Sequence, residues 1–511
     1  MFRILSNGAR FCSTFVIGLL YIRVIQSFGN ETFAIIVISA ACVTLYDCVR
    51  EVVRTFAIPA LGVACHSAEG EELGRTLVNS VLISSAFAAI AFGVSICVAL
   101  NPQYLGIPEG YTTQSTAYLL IRFVPAAVGV AVCPLTCMFA VHGDFARYNA
   151  VFVAERFLDL FAALAVLVVG YFFDTSSQLI VFGVIISGTL LVLNCAAAWL
   201  AVRQLPARHL SPRLVSLKCV RELMSSTGWS IAYMVGLTLH IRFDVLLANA
   251  VFGLKTGVAY SVAAQLAGYV RTGVSTLGNG LDSVAARAWV NGDQMELRRQ
   301  TRIFASAQVL AALAVTGALG LSLPDLLPVW LGSQASSEVL DFAEIASIAR
   351  LLLIGMAARS ASEALMSILS GCGRIRSHAR PILLGSLVNP ILIAMLYLML
   401  PVDHRFLAPA LSFAIIMPLV HVLLIPWIFS KTIAISLRDL IRFTTVPITV
   451  CVLSYVAALA SASASSFLSG FPQLPCLFLV FLGTFFCFLN PHLLGLRSRN
   501  LASTSAVPLV D

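Results

Sequence analysis

Charge is what this sequence has least of. Only 11% of its 511 residues are Asp, Glu, Lys or Arg, against the roughly 25% of an ordinary soluble domain. There is too little charge for a solvated surface over most of the chain, and no polar stretch is long enough to form a separate soluble domain. Lysine is nearly missing: Lys218, Lys255 and Lys431 are three of 32 basic residues. No basic patch interleaved with aromatics occurs, which argues against a nucleic-acid partner. None of the 13 cysteines forms a CxxC. Most, including Cys42, Cys97, Cys133, Cys137, Cys195, Cys451 and Cys487, lie inside apolar runs and read as small buried hydrophobes, not metal ligands. P-loop, zinc motif and Ser-His-Asp arrangement are also lacking, so no ATPase, other enzyme, metal or cofactor is expected. The N-terminal MFRILSNGARFCSTF has no small-residue cleavage site and reads as the start of the first helix.

What fills the chain instead is apolar sequence. Hydrophobic residues make up 59% and mean hydropathy is +0.94. Apolar runs of about 20 residues, each long enough to cross a bilayer, recur throughout. The pattern predicts an all-α, polytopic integral membrane protein with about fourteen transmembrane helices, near 11–28, 33–56, 77–100, 115–141, 149–173, 179–202, 226–251, 256–283, 303–323, 342–368, 381–400, 407–430, 443–464 and 473–493.

Basic residues test this topology independently. With both termini on the cytoplasmic side, the inside segments hold 22 Lys and Arg, whereas the outside loops hold only Lys255 and Arg405. Such a bias is a strong positive-inside signal. An early error in helix number would have swapped the sides and erased it. The outside loops are short, and the longest, near 101–114, carries turn residues and no catalytic cluster.

The first half of the chain recurs in the second. Phe28-Gly29-Asn30-Glu31-Thr32 returns 224 residues later as Phe252-Gly253-Leu254-Lys255-Thr256, and Glu72-Leu73 with Arg75 returns at the same offset as Glu296-Leu297 with Arg299. Duplicated halves with a binding site between them are a common plan for secondary transporters. The expected division is a six-helix lobe at 1–202, a basic cytoplasmic linker at 203–225, a second six-helix lobe at 226–430, and two additional transmembrane helices with a short tail at 431–511.

Eight arginines fall inside expected helices: Arg23, Arg50, Arg122, Arg156, Arg242, Arg271, Arg350 and Arg359. An arginine at the bilayer centre costs roughly 2.5–3.5 kcal/mol on insertion scales, so they must mostly face protein, water or the interface. Helical spacing gives some a local acidic partner: Arg50 with Asp47, Arg54 with Glu51, Arg156 with Asp159, and Arg359 with Glu363. Arg23, Arg122, Arg271 and Arg350 have none. Arg23, Arg50, Arg242 and Arg271 stand on the helices that open the two halves, where a shared central cavity is expected. The planar guanidinium fork suits bidentate phosphate binding. Candidate substrate-binding residues are therefore Arg23, Arg50, Arg122, Arg242, Arg271 and Arg350. Of the intramembrane acids, Asp47 and Asp244 are candidates for ion coupling. Pro125, Pro134, Pro390 and Pro418 mark positions where helices can bend.

Residues 27–49 (SFGNETFAIIVISAACVTLYDCV), 242–270 (RFDVLLANAVFGLKTGVAYSVAAQLAGYV) and the VWLG at 329–332 resemble the MOP flippase superfamily. Within it they resemble the polysaccharide transporter branch, which includes O-antigen and exopolysaccharide repeat-unit flippases. The resemblance spans about 1–430. It implies a two-lobed bundle in a bacterial inner membrane with a cationic central cavity, alternating between inward- and outward-open states. The implied cargo is an undecaprenyl-diphosphate-linked oligosaccharide, with membrane lipids, a polysaccharide polymerase and chain-length proteins as further partners. Fourteen helices, and arginines on helices one, two and eight, also resemble lipid II flippases, which keeps lipid II as an alternative cargo. An ion-coupled multidrug or metabolite antiporter of the same superfamily is the other transporter reading, although it would favour acidic and aromatic cavity residues. A membrane polymerase or ligase would need a larger outer loop than any present.

Overall fold

The computed structural model describes residues 2–66, 70–105, 107, 109–169, 175–204, 211–278, 281–332, 341–445 and 448–449. Among them the fold is entirely helical. The first half runs through α1 (Phe2–Gln26), α2 (Asn30–His66), α3 (Gly70–Ala99), α4 (Thr112–Ala131), α5 (Cys133–Val141), α6 (Phe145–Val169) and α7 (Thr175–Arg203). The second runs through α8 (Leu217–Phe252), α9 (Leu254–Leu277), α10 (Leu281–Val290), α11 (Gln294–Leu331), α12 (Phe342–Ala361), α13 (Glu363–Gly371), α14 (Ile375–Met399), α15 (Ala408–Pro418) and α16 (Ile425–Ile433). Each of the first twelve expected spans falls on one of these helices or on a broken pair. Seven helical stretches among the described residues are long and apolar enough to cross a membrane. The protein is a multi-pass membrane protein. The expected spans at 443–464 and 473–493 lie, apart from a few residues of the first, outside the described residues.

Local chemistry explains where helices start and stop. Ser216, Asp293 and Asp341 cap α8, α11 and α12, their side chains accepting from backbone N–H groups of the first turn, which satisfies donors a helix start leaves open. Gly29 and Gly253, at φ of 99° and 85°, form the α1–α2 and α8–α9 junctions. These are the two glycines of the repeated Phe-Gly segment, and positive φ is the reason each is glycine. The repeated Glu-Leu-x-Arg likewise falls in the opening turns of both α3 and α11.

A second correspondence was not visible in the sequence. The α4–α5 helix breaks at Val132 (φ −87°, ψ −2°), and the α12–α13 helix breaks at Ser362 (φ −94°, ψ −3°). Both short distal helices then end near a positive-φ glycine, Gly143 or Gly373. Pro134 lies in the first turn of α5, where its missing N–H costs nothing. The break at Ser362 has no proline. There the hydroxyl donates to the carbonyl of Arg359 and contacts Nδ1 of His421 at 2.7 Å. Pro125 and Pro390 sit inside α4 and α14 without ending them, and Pro418 closes α15 ahead of a π-helical turn, Leu419–Leu424.

The connections collect at two ends of the bundle. At one, Asn249 beside the α8–α9 junction donates to the carbonyl of Leu105. Tyr118 of α4 stacks on Phe182 of α7, which also meets Phe28 beside the α1–α2 junction. At the other, Asn79 bridges to Leu214 and Ser216, Arg298 pairs with Asp439, and Arg376 and Arg380 cover Trp229. The second set joins the segments in which the basic residues concentrate.

Candidate functional site

Among the described residues, two polar clusters stand out against the apolar interior, the first partly open at Asp47 and Arg156 and the second buried. The first lies among α2, α4, α6 and α7. One helical turn separates Asp47 from Arg50 on α2, and another separates Arg156 from Asp159 on α6, so each pair shares a helix face. Arg50 Nη2 donates to Glu155 Oε1 at 2.7 Å, and Nη1 lies 3.5 Å from Asp47 Oδ1. Arg156 Nη1 donates to Asp159 Oδ2 at 3.1 Å. Arg122 of α4 is buried next to Tyr118, and its Nη1 has no hydrogen-bond partner. These groups, with Tyr46 and Asn194, line a cavity of about 80 Å³. Three guanidinium groups meet three carboxylates, so this cavity is close to neutral. It has room for a few waters and is too small for a sugar.

The second cluster lies among α8, α9, α12, α14 and the α15–α16 segment. Arg359 is fully buried, and none of its three guanidinium nitrogens has a hydrogen-bond partner. Arg271, Glu363 and Tyr233 lie within electrostatic range of it, with Glu363 beyond ion-pair distance and Tyr233 outside hydrogen-bonding geometry. Around them are three buried histidines, His240, His378 and His421. Both ring nitrogens of His240, Nδ1 of His378 and Nε2 of His421 have no partner. Tyr233 meets the His378 ring edge-on at 5.2 Å. Asp244 is fully buried nearby on α8; its Oδ1 accepts from Asn389 at 2.8 Å, and Ser412 donates to the Asn389 amide oxygen at 2.7 Å. Burying so many groups without partners is costly in a low dielectric, and unsatisfied groups of this kind mark sites that receive water, an ion or a ligand.

The expected site residues therefore separate. Arg50 and Arg122 line the first cavity, with Asp47 at its half-exposed edge. Arg271 belongs to the second cluster, and Asp244 neighbours it. Arg23 is exposed near the end of α1, its guanidinium lying over Gly332 of the Val-Trp-Leu-Gly turn. Arg350 is exposed on α12. Arg242 lies on α8, and its side chain is outside those described. Arg23, Arg50 and Arg271 do not surround one cavity. Local pairing holds for Arg50–Asp47, Arg54–Glu51 and Arg156–Asp159. The expected Arg359–Glu363 ion pair is not formed, because the helix breaks between the two residues at Ser362. Sequence reasoning also passed over the histidines. Their presence in apolar stretches was the available signal, since an ionisable group inside a membrane segment is a functional candidate by default.

Among solved structures, the chain is similar to an inward-facing multidrug resistance MATE family transporter of the MOP superfamily (12% identity, TM-score 0.67, 83% of this chain and 96% of that one). It is also similar to a MOP superfamily transporter from Pyrococcus furiosus described as having a binding pocket of reverse polarity (14%, 0.66, 85% and 96%), and to a eukaryotic MATE transporter (14%, 0.61, 86% and 96%). No family model and no curated protein matches. At these identities the similarity establishes the fold: this chain has the MOP superfamily transporter fold.

Proposed function

We propose that this protein is a flippase that moves undecaprenyl-diphosphate-linked oligosaccharide across a bacterial inner membrane by alternating access. The observation that carries this reading is that Arg122, Arg271 and Arg359 have no carboxylate within ion-pair distance among the described residues. Cations left unneutralised inside a membrane protein favour an anionic cargo, and guanidinium is the side chain best shaped for a diphosphate. The sugars and diphosphate cannot cross hydrocarbon unaided. Two lobes, 1–202 and 226–430 joined by 203–225, would shelter the head group between them while the polyprenyl chain stays in lipid. Arg271 and Arg359 would engage the phosphates from the second lobe. In the first, where the charges balance overall, Arg50 and Arg156 are paired and Arg122 is the guanidinium without a carboxylate at ion-pair distance. Asp47 and Asp244 remain the residues proposed for ion coupling, and a polymerase and chain-length proteins the proposed partners.

The fold also supports a second reading, an ion-coupled drug or metabolite antiporter, because one similar structure is described as a multidrug resistance transporter and the first cavity holds three carboxylates. Lipid II is the alternative lipid cargo.

A flipping assay in proteoliposomes tests these readings. Wild type, Arg271→Ala and Arg271→Lys are compared with an undecaprenyl-diphosphate oligosaccharide, lipid II and a cationic drug. Transport of the oligosaccharide by wild type, lost in both variants, supports the proposal. Equal transport by all three removes Arg271 from the site; movement of lipid II or the drug alone transfers the assignment to that cargo.

A further inference from the structure

A groove of about 780 Å³ runs along the outside of the bundle between α14 and the segment from the end of α15 through α16. This lies within the roughly 300–1,000 Å³ of small-molecule sites. Its wall on α14 carries Arg376, Arg380, Leu384 and Val388, at a constant spacing of four, which places them in one row along the helix. The row changes from charged to apolar between Arg380 and Leu384, within a single turn. Arg374 joins the charged end, and Leu424 faces the apolar part from the other side. Gly385 sets the floor: a Cβ there would stand 2.8 Å from Val420 Cγ2, so α14 and the π-helical turn meet closely below while larger side chains stand on either side.

The charged end is unbalanced. Arg374, Arg376 and Arg380 are all exposed, and none has a carboxylate within ion-pair distance among the described residues. Arg376 and Arg380 both lie 5.2 Å from the centre of the Trp229 ring. The ring holds two like charges together, and an anion placed between them would relieve their repulsion. A small anion would satisfy that end and leave the apolar length unused.

We propose that this groove binds one anionic phospholipid, its phosphate held by Arg374, Arg376 and Arg380 and one acyl chain lying along Leu384, Val388 and Leu424. A zwitterionic lipid offers the same phosphate and chain, but it brings a cationic head group towards three arginines. The groove is therefore selective for net negative charge, whatever cargo the transporter carries.

The test is native mass spectrometry of the full-length protein in detergent, titrated with phosphatidylglycerol, phosphatidylcholine of identical chains, and glycerol 3-phosphate as a head group without a chain. The expected result is one phosphatidylglycerol bound at least tenfold more tightly than phosphatidylcholine, with glycerol 3-phosphate weaker than either lipid. Arg374→Gln/Arg376→Gln/Arg380→Gln is expected to abolish the tenfold preference. Val388→Trp, at an exposed position that tolerates a larger side chain, is expected to weaken both lipids while leaving glycerol 3-phosphate unchanged; it also carries the test if the triple variant fails to fold. Equal binding of the two lipids, or an unchanged preference in the triple variant, overturns the proposal. So does glycerol 3-phosphate binding as tightly as phosphatidylglycerol, or lipid binding unaffected by Val388→Trp.

Discussion

Arg50 on α2 donates to Glu155 on α6 at 2.7 Å, joining positions 105 apart in the chain. Both side chains are largely buried, at 12% and 14% exposure. Removing one partner leaves the other charge uncompensated. We expect Glu155→Ala to destabilise the protein by about 2–4 kcal/mol, somewhat under the roughly 3–5 kcal/mol of a fully enclosed pair because the cavity admits water. Arg50→Met/Glu155→Leu should recover most of that loss. Thermal unfolding of the three variants in detergent measures this; a double variant as unstable as the single one would mean that the pair supplies packing rather than charge balance.

Arg359 should behave in the opposite way. Its guanidinium is buried without a hydrogen-bond partner, so Arg359→Met removes a charge that Glu363 offsets only at longer range and keeps much of the volume. We expect a gain of about 1–4 kcal/mol in stability together with loss of oligosaccharide flipping. Unfolding and flipping measured on the same preparation separate the two effects. A fall in stability would show that Tyr233 or Glu363 supports the arginine in the folded protein.

Gly253 stands at φ 85° and ψ 179°, a region essentially reserved for glycine. Gly253→Ala is expected to cost on the order of 1–3 kcal/mol, read as a lower unfolding midpoint. Ala substitution at Gly228, inside α8 with no neighbouring atom within 4 Å of a new Cβ, serves as the control and should leave the midpoint unchanged or slightly raised, since Ala favours a helix interior over Gly by about 0.5–1 kcal/mol.

These cases show what could be read from the chain and what could not. Gly253 was legible because its conformational demand is local and is repeated at Gly29. Pairs such as Arg156–Asp159 were legible because three residues bring side chains to one helix face. Arg50–Glu155 was not, since only the packing of α2 on α6 defines it. The Arg359–Glu363 expectation failed for a related reason. The helix breaks at Ser362, whose hydroxyl is engaged by the Arg359 carbonyl and by His421, 59 residues away, and no local signal announces that partner. Prolines were an incomplete guide: Pro134 and Pro418 adjoin interruptions, Pro125 and Pro390 lie inside continuous helices, and the break at Ser362 has no proline at all.

The Asp439 carboxyl gives a pH prediction. Hydrogen bonding from Ser436, with Arg298 as a second contributor, holds it below its ordinary value of 3.8. A depressed carboxylate value stabilises the folded form above the unfolded pKa, and that contribution disappears as pH falls through the folded value. The contact between α11 and residues 436–439 should therefore be unchanged between pH 5 and 8 and loosen only below about pH 4. Amide hydrogen exchange at 436–445 measures it. Asp439→Asn should give faster exchange already at pH 7; equal exchange in variant and wild type would show that the ion pair does not hold this segment.

The junctions at Gly29 and Gly253 lie at the same end of the bundle, so the two copies of the repeat run parallel through the membrane. The pseudo-two-fold relating parallel copies stands along the membrane normal. In a transporter built from inverted copies, exchanging the conformations of the halves turns an inward-open molecule into an outward-open one. Here the same exchange returns a molecule open to the side it started from. A change of side in a molecule of this build comes from rocking one copy against the other or from bending within each copy, and the matched interruptions at Val132 and Ser362 give each copy a joint of its own.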